Sequence, residues 1–272
     1  MGRTLAAAAI ILAAVYGAHG KLIAYEGFDY APGDVSGKSG GIGWRGGWFG
    51  SSVNSTDNAV ASGGLTFAHL GVSGNRMEER GADVRSFRRI DTAKAALADL
   101  VEDGPNGKTL GRDGTTIWIA FLVSCDSYPA VAYGGIHLCD GLGDLTKDPF
   151  GDKRAHQRMS MGRQNIDTHW YLGRVTNGAP GKGAWASNTV ADSTVRLLVY
   201  RFDFKKGAEE AWMWIDPATD KEPAKPAAAI HAENVTDFRF NTLSAGAGPG
   251  TKFLLDEIRI GTEFADVAPR DK

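Results

Sequence analysis

Three kinds of side chain in this sequence have the chemistry for a site: acids set in strand-like runs, aromatics near glycines, and single histidines. Glu26 stands in Leu22-Ile23-Ala24-Tyr25-Glu26-Gly27-Phe28-Asp29-Tyr30, and Asp256 in Phe253-Leu254-Leu255-Asp256-Glu257-Ile258-Arg259-Ile260. The second run alternates with a period of two. Leu254, Asp256, Ile258 and Ile260 therefore share one face, and Phe253, Leu255, Glu257 and Arg259 the other. An acid among inward apolar residues needs a partner, because an unpaired buried charge is expensive. Asp29 and Glu257 fall on the opposite faces of their strands. The aromatics are Trp170 and Tyr171, Trp212 and Trp214, and Trp185 in Lys182-Gly183-Ala184-Trp185. Such rings stack on sugars, with side chains such as Asn165, Asp167 and Arg174 bonding hydroxyls. Trp185 is the most loop-like and the first choice for a ligand-binding residue, followed by Trp170, Tyr171 and Arg174. Trp212 and Trp214 read better as sheet packing.

Catalytic arrangements are harder to find. Hydrolysis of a glycosidic bond needs two carboxylates facing each other, about 5 to 10 Å apart. Glu78-Glu79 and Glu209-Glu210 are adjacent pairs, which a strand points to opposite faces. Gly-x-Ser-x-Gly is absent, the two cysteines form no close ligand pair, and the six histidines are scattered. His137 on a strand and His169 beside Trp170 read as packing or surface residues. No catalytic residue is expected.

Positioning these residues falls to many short strands. Thr115 to Val123 is apolar on both faces and should be a central, doubly covered strand. Gly134 to Cys139 follows as its partner; Arg158 to Gly162 and His169 to Gly173 are two more strands. Thr194 to Phe204 and Glu210 to Ile215 form a hairpin around Lys205-Lys206-Gly207-Ala208. Leu198, Tyr200, Phe202 and Phe204 share one of its faces. Gly33 to Gly50 reads as a tightly turning loop in which Trp44 and Trp48 plug the end of the fold. Arg76 to Arg89 carries mixed charges and reads as a solvated strand edge. Asp91 to Gly104 predicts the one helix, capped at its start and stopped by glycine, with Leu97, Leu100 and Val101 on its apolar face. Lys221 to Ala229 is a Pro/Ala surface connector. About a dozen strands and one short helix specify an all-β sandwich or barrel and not a parallel βαβ sheet, and pairing of the first and last strands would close a two-sheet sandwich.

Composition narrows the class. Residues 1–20 have a basic start, an apolar run too short to span a bilayer, and small residues before a cut after Gly20, which predicts a signal peptide. The single domain then runs over residues 21–272, with no membrane span. The formal charge of -2 argues against nucleic acid, which needs a concentrated basic patch. Cys125 and Cys139 are either a disulfide, permitted in an exported chain, or buried free thiols. Asn54-Ser55-Thr56 and Asn234-Val235-Thr236 are glycosylation sequons.

Four phrases in order, Ala24 to Tyr30, Gly114 to Phe121, Leu197 to Phe204 and Asp256 to Thr262, resemble exported bacterial proteins of the concanavalin A-like lectin/glucanase superfamily, the laminin-G-like jelly rolls. The likeness covers Leu22 to Val267 and implies a two-sheet antiparallel jelly-roll sandwich. It implies a structural Ca2+ ion held by Glu26 and Asp256 from the two edge strands, with backbone carbonyls completing the shell. The competing account gives each carboxylate backbone amides or an arginine such as Arg259. The superfamily's glucanases use Glu-x-Asp-x-x-Glu or Glu-x-Asp-x-Glu strands, which are missing here. Its lyase-like members would need a convergent His, Tyr and Arg set, of which Gly135-Ile136-His137-Leu138 is a faint echo. The expectation is an exported, non-catalytic recognition or surface-structural module with a polysaccharide or glycan partner, secreted, periplasmic or on the cell surface. The alternatives are a glycoside hydrolase or polysaccharide lyase with displaced catalytic residues, or a purely structural envelope or matrix protein.

Overall fold

The computed structural model describes residues 20–50, 58–80, 85–127, 133–141, 156–163, 168–176 and 179–270. The expected leader up to residue 19, the Asn54 sequon, Asn165 and Asp167 lie outside them. In chain order the strands are β1 (Leu22–Glu26), β2 (Gly33–Asp34), β3 (Trp44–Gly50), β4 (Asn58–Ala61), β5 (Arg76–Arg80) and β6 (Arg85–Ile90). Then come β7 (Val101–Gly104), β8 (Gly107–Leu110), β9 (Thr116–Ser127), β10 (Gly134–Cys139), β11 (Gln157–Arg163) and β12 (His169–Thr176). The last six are β13 (Ala179–Val190), β14 (Arg196–Asp203), β15 (Glu210–Ile215), β16 (Ile230–Ala232), β17 (Thr242–Ala247) and β18 (Lys252–Gly261). One α-helix, α1 (Phe264–Val267), follows.

The strands form two antiparallel sheets and a hairpin. The nine-stranded sheet runs β16-β15-β14-β9-β18-β5-β4-β2, with β1 also paired to β18; the seven-stranded sheet runs β13-β12-β11-β10-β17-β6-β3; β7 and β8 pair with each other. Apolar residues from both inner faces meet in one core. Ile117, Ile119, Phe121 and Val123 of β9 contribute from one side, and Ile136, Leu138, Met161, Trp170 and Leu172 from the other. Fully burying each such side chain stabilises by about 1.5–3 kcal/mol. The opposite face of β9 is apolar too, and it is covered: Trp118, Ala120 and Leu122 pack with Leu65, Leu70, Phe264 and Val267. Among the described residues no helix is long and apolar enough to cross a membrane.

The first and last strands pair as expected, with Tyr25 opposite Arg259 and Glu26 opposite Ile258. The simple alternation read from β18 does not hold, however. Phe253, Leu255, Ile258 and Ile260 all enter the inter-sheet core, whereas Leu254 packs on the outer side. The phase changes at a bulge between Asp256 and Arg259, where β18 slips against β9 and Glu257 takes φ 52°. The bulge lies where β18 changes partner along its other edge. β5 pairs with Lys252 to Leu255, and β1 takes over from Ile258.

Three local expectations are corrected. The helix over 91–104 is a single 3-10 turn, Ala95–Leu97, followed by the β7–β8 hairpin. Leu97, Leu100 and Val101 are buried as their pattern demanded. A helix of that length gains little by itself, so the turn chemistry of Gly104-Pro105-Asn106-Gly107 decides the backbone. Arg76 to Arg89 is no solvated edge, since β5 and β6 lie in opposite sheets and Glu78, Glu79, Arg85 and Arg88 are buried. The glycine-rich segment contributes β3, an edge strand of the seven-stranded sheet.

Candidate functional site

The site is built on the outer face of the seven-stranded sheet, the face turned away from its partner sheet. Alternation sets that face residue by residue. In β10, Ile136 and Leu138 point into the core, so Gly135, His137 and Cys139 point out. In β11, inward Met159 and Met161 leave Ser160 and Gly162 outward; in β12, inward Trp170 and Leu172 leave Tyr171 and Gly173 outward. In β17, inward Leu243, Ala245 and Ala247 leave Ser244 and Gly246 outward.

Register then aligns these positions into rows across the strands. One row is Arg85, Gly246, Gly135, Gly162 and Tyr171. Three glycines give it a floor with no side chains. Gly135 and Gly162 adopt φ 127° and 130°, and a Cβ on either would run into a carbonyl of the neighbouring strand. Strands lie about 4.8 Å apart, so four spacings set the Arg85 and Tyr171 Cα atoms roughly 19 Å from each other. Tyr171 lies along β12, with its hydroxyl over Gly173.

The adjacent row is Phe87, Ser244, His137, Ser160 and Gly173, and beyond it Arg45, Arg89, Thr242, Cys139 and Gln157 align. These rows contain buried polar atoms without partners: His137 Nδ1, Ser244 Oγ and both amide atoms of Gln157. Their side chains are 4%, 0% and 1% exposed. A buried polar atom left unsatisfied costs about 1–3 kcal/mol, a cost removed by a ligand hydroxyl or a bridging water.

Burial also sets the charge state of this floor. It pushes the His137 imidazole well below its ordinary pKa, helped by the positive charge of Arg85, so the ring is neutral. The Cys139 thiol is pushed up to about 12, again mainly by burial. Beneath the glycine row, Glu79 of β5 accepts a hydrogen bond from Gly135 N at 3.4 Å. Burial raises the Glu79 carboxyl well above the usual range, opposed by that bond and by Arg85. These neutral donors and acceptors are of the kind that ligand hydroxyls satisfy.

Of the predicted ligand residues, only Tyr171 stands on this face. Trp170 is buried in the inter-sheet core, edge-on to Phe253 at 6.3 Å. Trp185 pairs across with inward Leu172 and packs partly buried against the core. Arg174 is exposed and pairs with the inward Met159, off the outer face. Trp212 and Trp214 line the outer side of the nine-stranded sheet, as packing residues. The connector covers them: Trp214 Nε1 donates to Ala224 O at 3.2 Å, and Lys225 Nζ sits 3.6 Å over the Trp212 ring. The residues missed were Arg85, Ser160, Ser244 and Gln157. His137, expected as a packing or surface residue, stands on this outer face, as the alternation of Gly134 to Cys139 against inward Ile136 and Leu138 requires.

Glu26 and Asp256 are not brought together. Glu26 faces the inter-sheet interior, where it pairs with Arg88 and accepts from Phe28 N (2.8 Å), Tyr30 Oη (2.8 Å) and Trp48 Nε1 (3.0 Å). Asp256 points to the outer side of its sheet, accepting from Leu65 N (2.7 Å) and Glu257 N (2.8 Å). Both carboxylates face N–H and O–H donors, an arrangement that does not fit a cation. Arg259 serves neither acid, bonding Glu257 and Gly71 O instead. Among the described residues Glu210, His231 and Glu233 bring ligand atoms within 4.8 Å of one another on the β15–β16 edge, where Lys205 Nζ already bonds Glu210 at 2.9 Å. Cys125 and Cys139 form no disulfide: Cys125 packs in the core and Cys139 lies on the outer face of the other sheet.

No family model matches the chain, and no curated protein matches it in sequence. Solved structures do match in shape. The T. cruzi calreticulin globular domain superposes with a TM-score of 0.50 at 9% identity, over 89% of this chain and 88% of that one. The Emp47p carbohydrate recognition domain gives 0.42 at 7%, over 85% and 94%. The cellulose-induced protein Cip1 gives 0.42 at 10%, over 86% and 98%. The first of these likenesses carries the fold: this chain is an antiparallel β-sandwich, consistent with the concanavalin A-like architecture that its strand phrases resemble.

Proposed function

We propose that the protein is an exported glycan-binding module whose ligand lies on the outer face of the seven-stranded sheet. The observation that carries this reading is the coincidence of a side-chain-free floor, Gly246-Gly135-Gly162, with buried unpartnered polar atoms on His137, Ser244 and Gln157 in the next two rows. A sugar supplies hydroxyls to such atoms and a flat ring to the glycine floor. Tyr171 and Arg85 bound the glycine row at its two ends. Screening the purified chain on a glycan array tests this. Binding is expected, with Tyr171→Ala weakening it at least about tenfold and Trp185→Ala leaving it within about twofold. Binding to no glycan, or equal loss from both variants, overturns the reading.

A second reading, elimination chemistry on a uronate-containing polysaccharide, is favoured by one observation: a neutral His137 shares the outer face with Tyr171 and Arg85. Elimination requires a base for the proton beside the carboxylate, a cation to hold that carboxylate, and an acid for the leaving oxygen. These are the residue types present. Rising ultraviolet absorbance of an unsaturated product, abolished by His137→Gln, supports it; a flat trace with oligouronates of several linkages contradicts it.

A further inference from the structure

The third row of the outer face leads into a pocket of about 280 Å³ where the sheet meets the β7–β8 hairpin. Arg45 of β3, Arg89 of β6 and Lys108 of β8 converge on it, with Thr92, Asn241 and Thr242 as uncharged polar neighbours. Among the described residues no carboxylate lines it. The three cations have no ion-pair partner among those residues, although the Arg89 guanidinium rests over the Phe49 ring at 5.7 Å. The flanking acids are engaged elsewhere: Asp91 is 3.9 Å from Lys94, and Asp140 is bound by Arg158 at 2.6 Å and His156 at 2.8 Å.

That is unusual in this molecule. The chain carries a formal charge of -2, and Arg76, Arg88, Arg196, Arg201, Arg239 and Arg259 are each matched to an acid. Three uncompensated cations in one concavity create a local positive potential, and arginine's fork suits a planar or tetrahedral oxyanion. The unpartnered Gln157, 1% exposed, lies in the same row as Arg89 and Thr242. The pocket therefore shares Arg89 and Thr242 with the outermost row of the buried polar floor.

We infer that this pocket holds the carboxylate or sulfate of an acidic sugar, so that the glycan on the outer face is anionic. The inference rests on the outer-face reading and supplies its ligand class. Isothermal titration of the purified chain tests it with four probes: an oligogalacturonate, a sulfated dextran, a cello-oligosaccharide and single-stranded DNA. One or both of the acidic glycans should bind at least about tenfold tighter than the neutral one, and more weakly as salt is raised. Arg89→Gln and Lys108→Gln should each weaken the acidic probe by about tenfold and leave the neutral probe unchanged. Both side chains are exposed, so the variants should keep the parent melting temperature. A neutral glycan bound as tightly as the acidic ones overturns the anionic inference but leaves the outer-face reading standing, as does indifference to both substitutions. DNA bound as tightly as an acidic glycan also overturns the anionic inference. Binding to no glycan overturns both.

Discussion

Arg88 and Glu26 form an ion pair between the two sheets, each side chain only 1% exposed. Arg88 also donates to Tyr30 Oη at 2.8 Å and Gly40 O at 2.7 Å, and its guanidinium lies 5.2 and 5.6 Å from the Trp44 and Trp48 ring centres. Burial lowers its pKa to about 10, which still leaves it charged at neutral pH. The pair fixes β1 of one sheet against β6 and β3 of the other, at the end where the glycine-rich segment closes the sandwich.

Removing one member leaves the other charge buried and unpaired. Arg88→Met or Glu26→Leu should each destabilise the fold by about 3–5 kcal/mol in urea unfolding, and the double variant by less than the sum. A loss below about 1 kcal/mol from either single variant would mean that the pair is solvated.

Stability above neutral pH should fall because of Asp256. Burial, outweighing the Leu65 amide bond, raises this carboxyl from 3.8 to about 8. Between those values the native state keeps a proton that the unfolded chain has released, so Asp256 makes stability decline as pH rises. Thermal unfolding from pH 6.5 to 8 should show this decline, and Asp256→Asn should flatten it. An unchanged slope in the variant would place the source elsewhere.

His137 acts with the opposite sign. Its folded pKa is depressed well below 6.5, so on acidification the unfolded chain takes up a proton that the native ring refuses. Stability is lost as pH falls below about 6.5, by up to about 1.4 kcal/mol per unit. Below that pH the Asp256 effect opposes it, and comparison with His137→Gln separates the two. The wild type should lose more stability than His137→Gln between pH 6.5 and 5. Parallel curves would mean that the ring protonates in the native state.

Both thiols should be inert in the folded chain. Cys125 and Cys139 are buried and unbridged, and burial holds Cys139 near 12. A thiol reagent at pH 8 should find none in the native protein and two after denaturation. Rapid native reaction, or no free thiol after denaturation, would contradict this geometry.

The fold was legible wherever one face of a strand is buried, because burial imposes a period of two. The Leu198-Tyr200-Phe202-Phe204 face follows from that rule, and the unbroken apolar run from Thr115 to Val123 from burial of both its faces. It misled in β18, where the bulge at Glu257 shifts the phase for the sake of a change in strand partner that lies far away in sequence. It was silent on burial of charge: Glu79 and Arg88 look solvated until the opposite sheet is in place. The site suffered most. Aromatic residues drew attention, yet Trp170 is core, whereas the floor consists of single glycines and serines on four strands that only register brings into line.

Backbone chemical shifts, followed while the chain is titrated with its tightest-binding oligosaccharide, test the outer-face site most directly. The largest changes should fall on Gly135, His137, Ser160, Tyr171 and Ser244, across β10, β11, β12 and β17. Changes centred on Trp185, or on Trp212 and Trp214 of the other sheet, with those five residues unmoved, would contradict it.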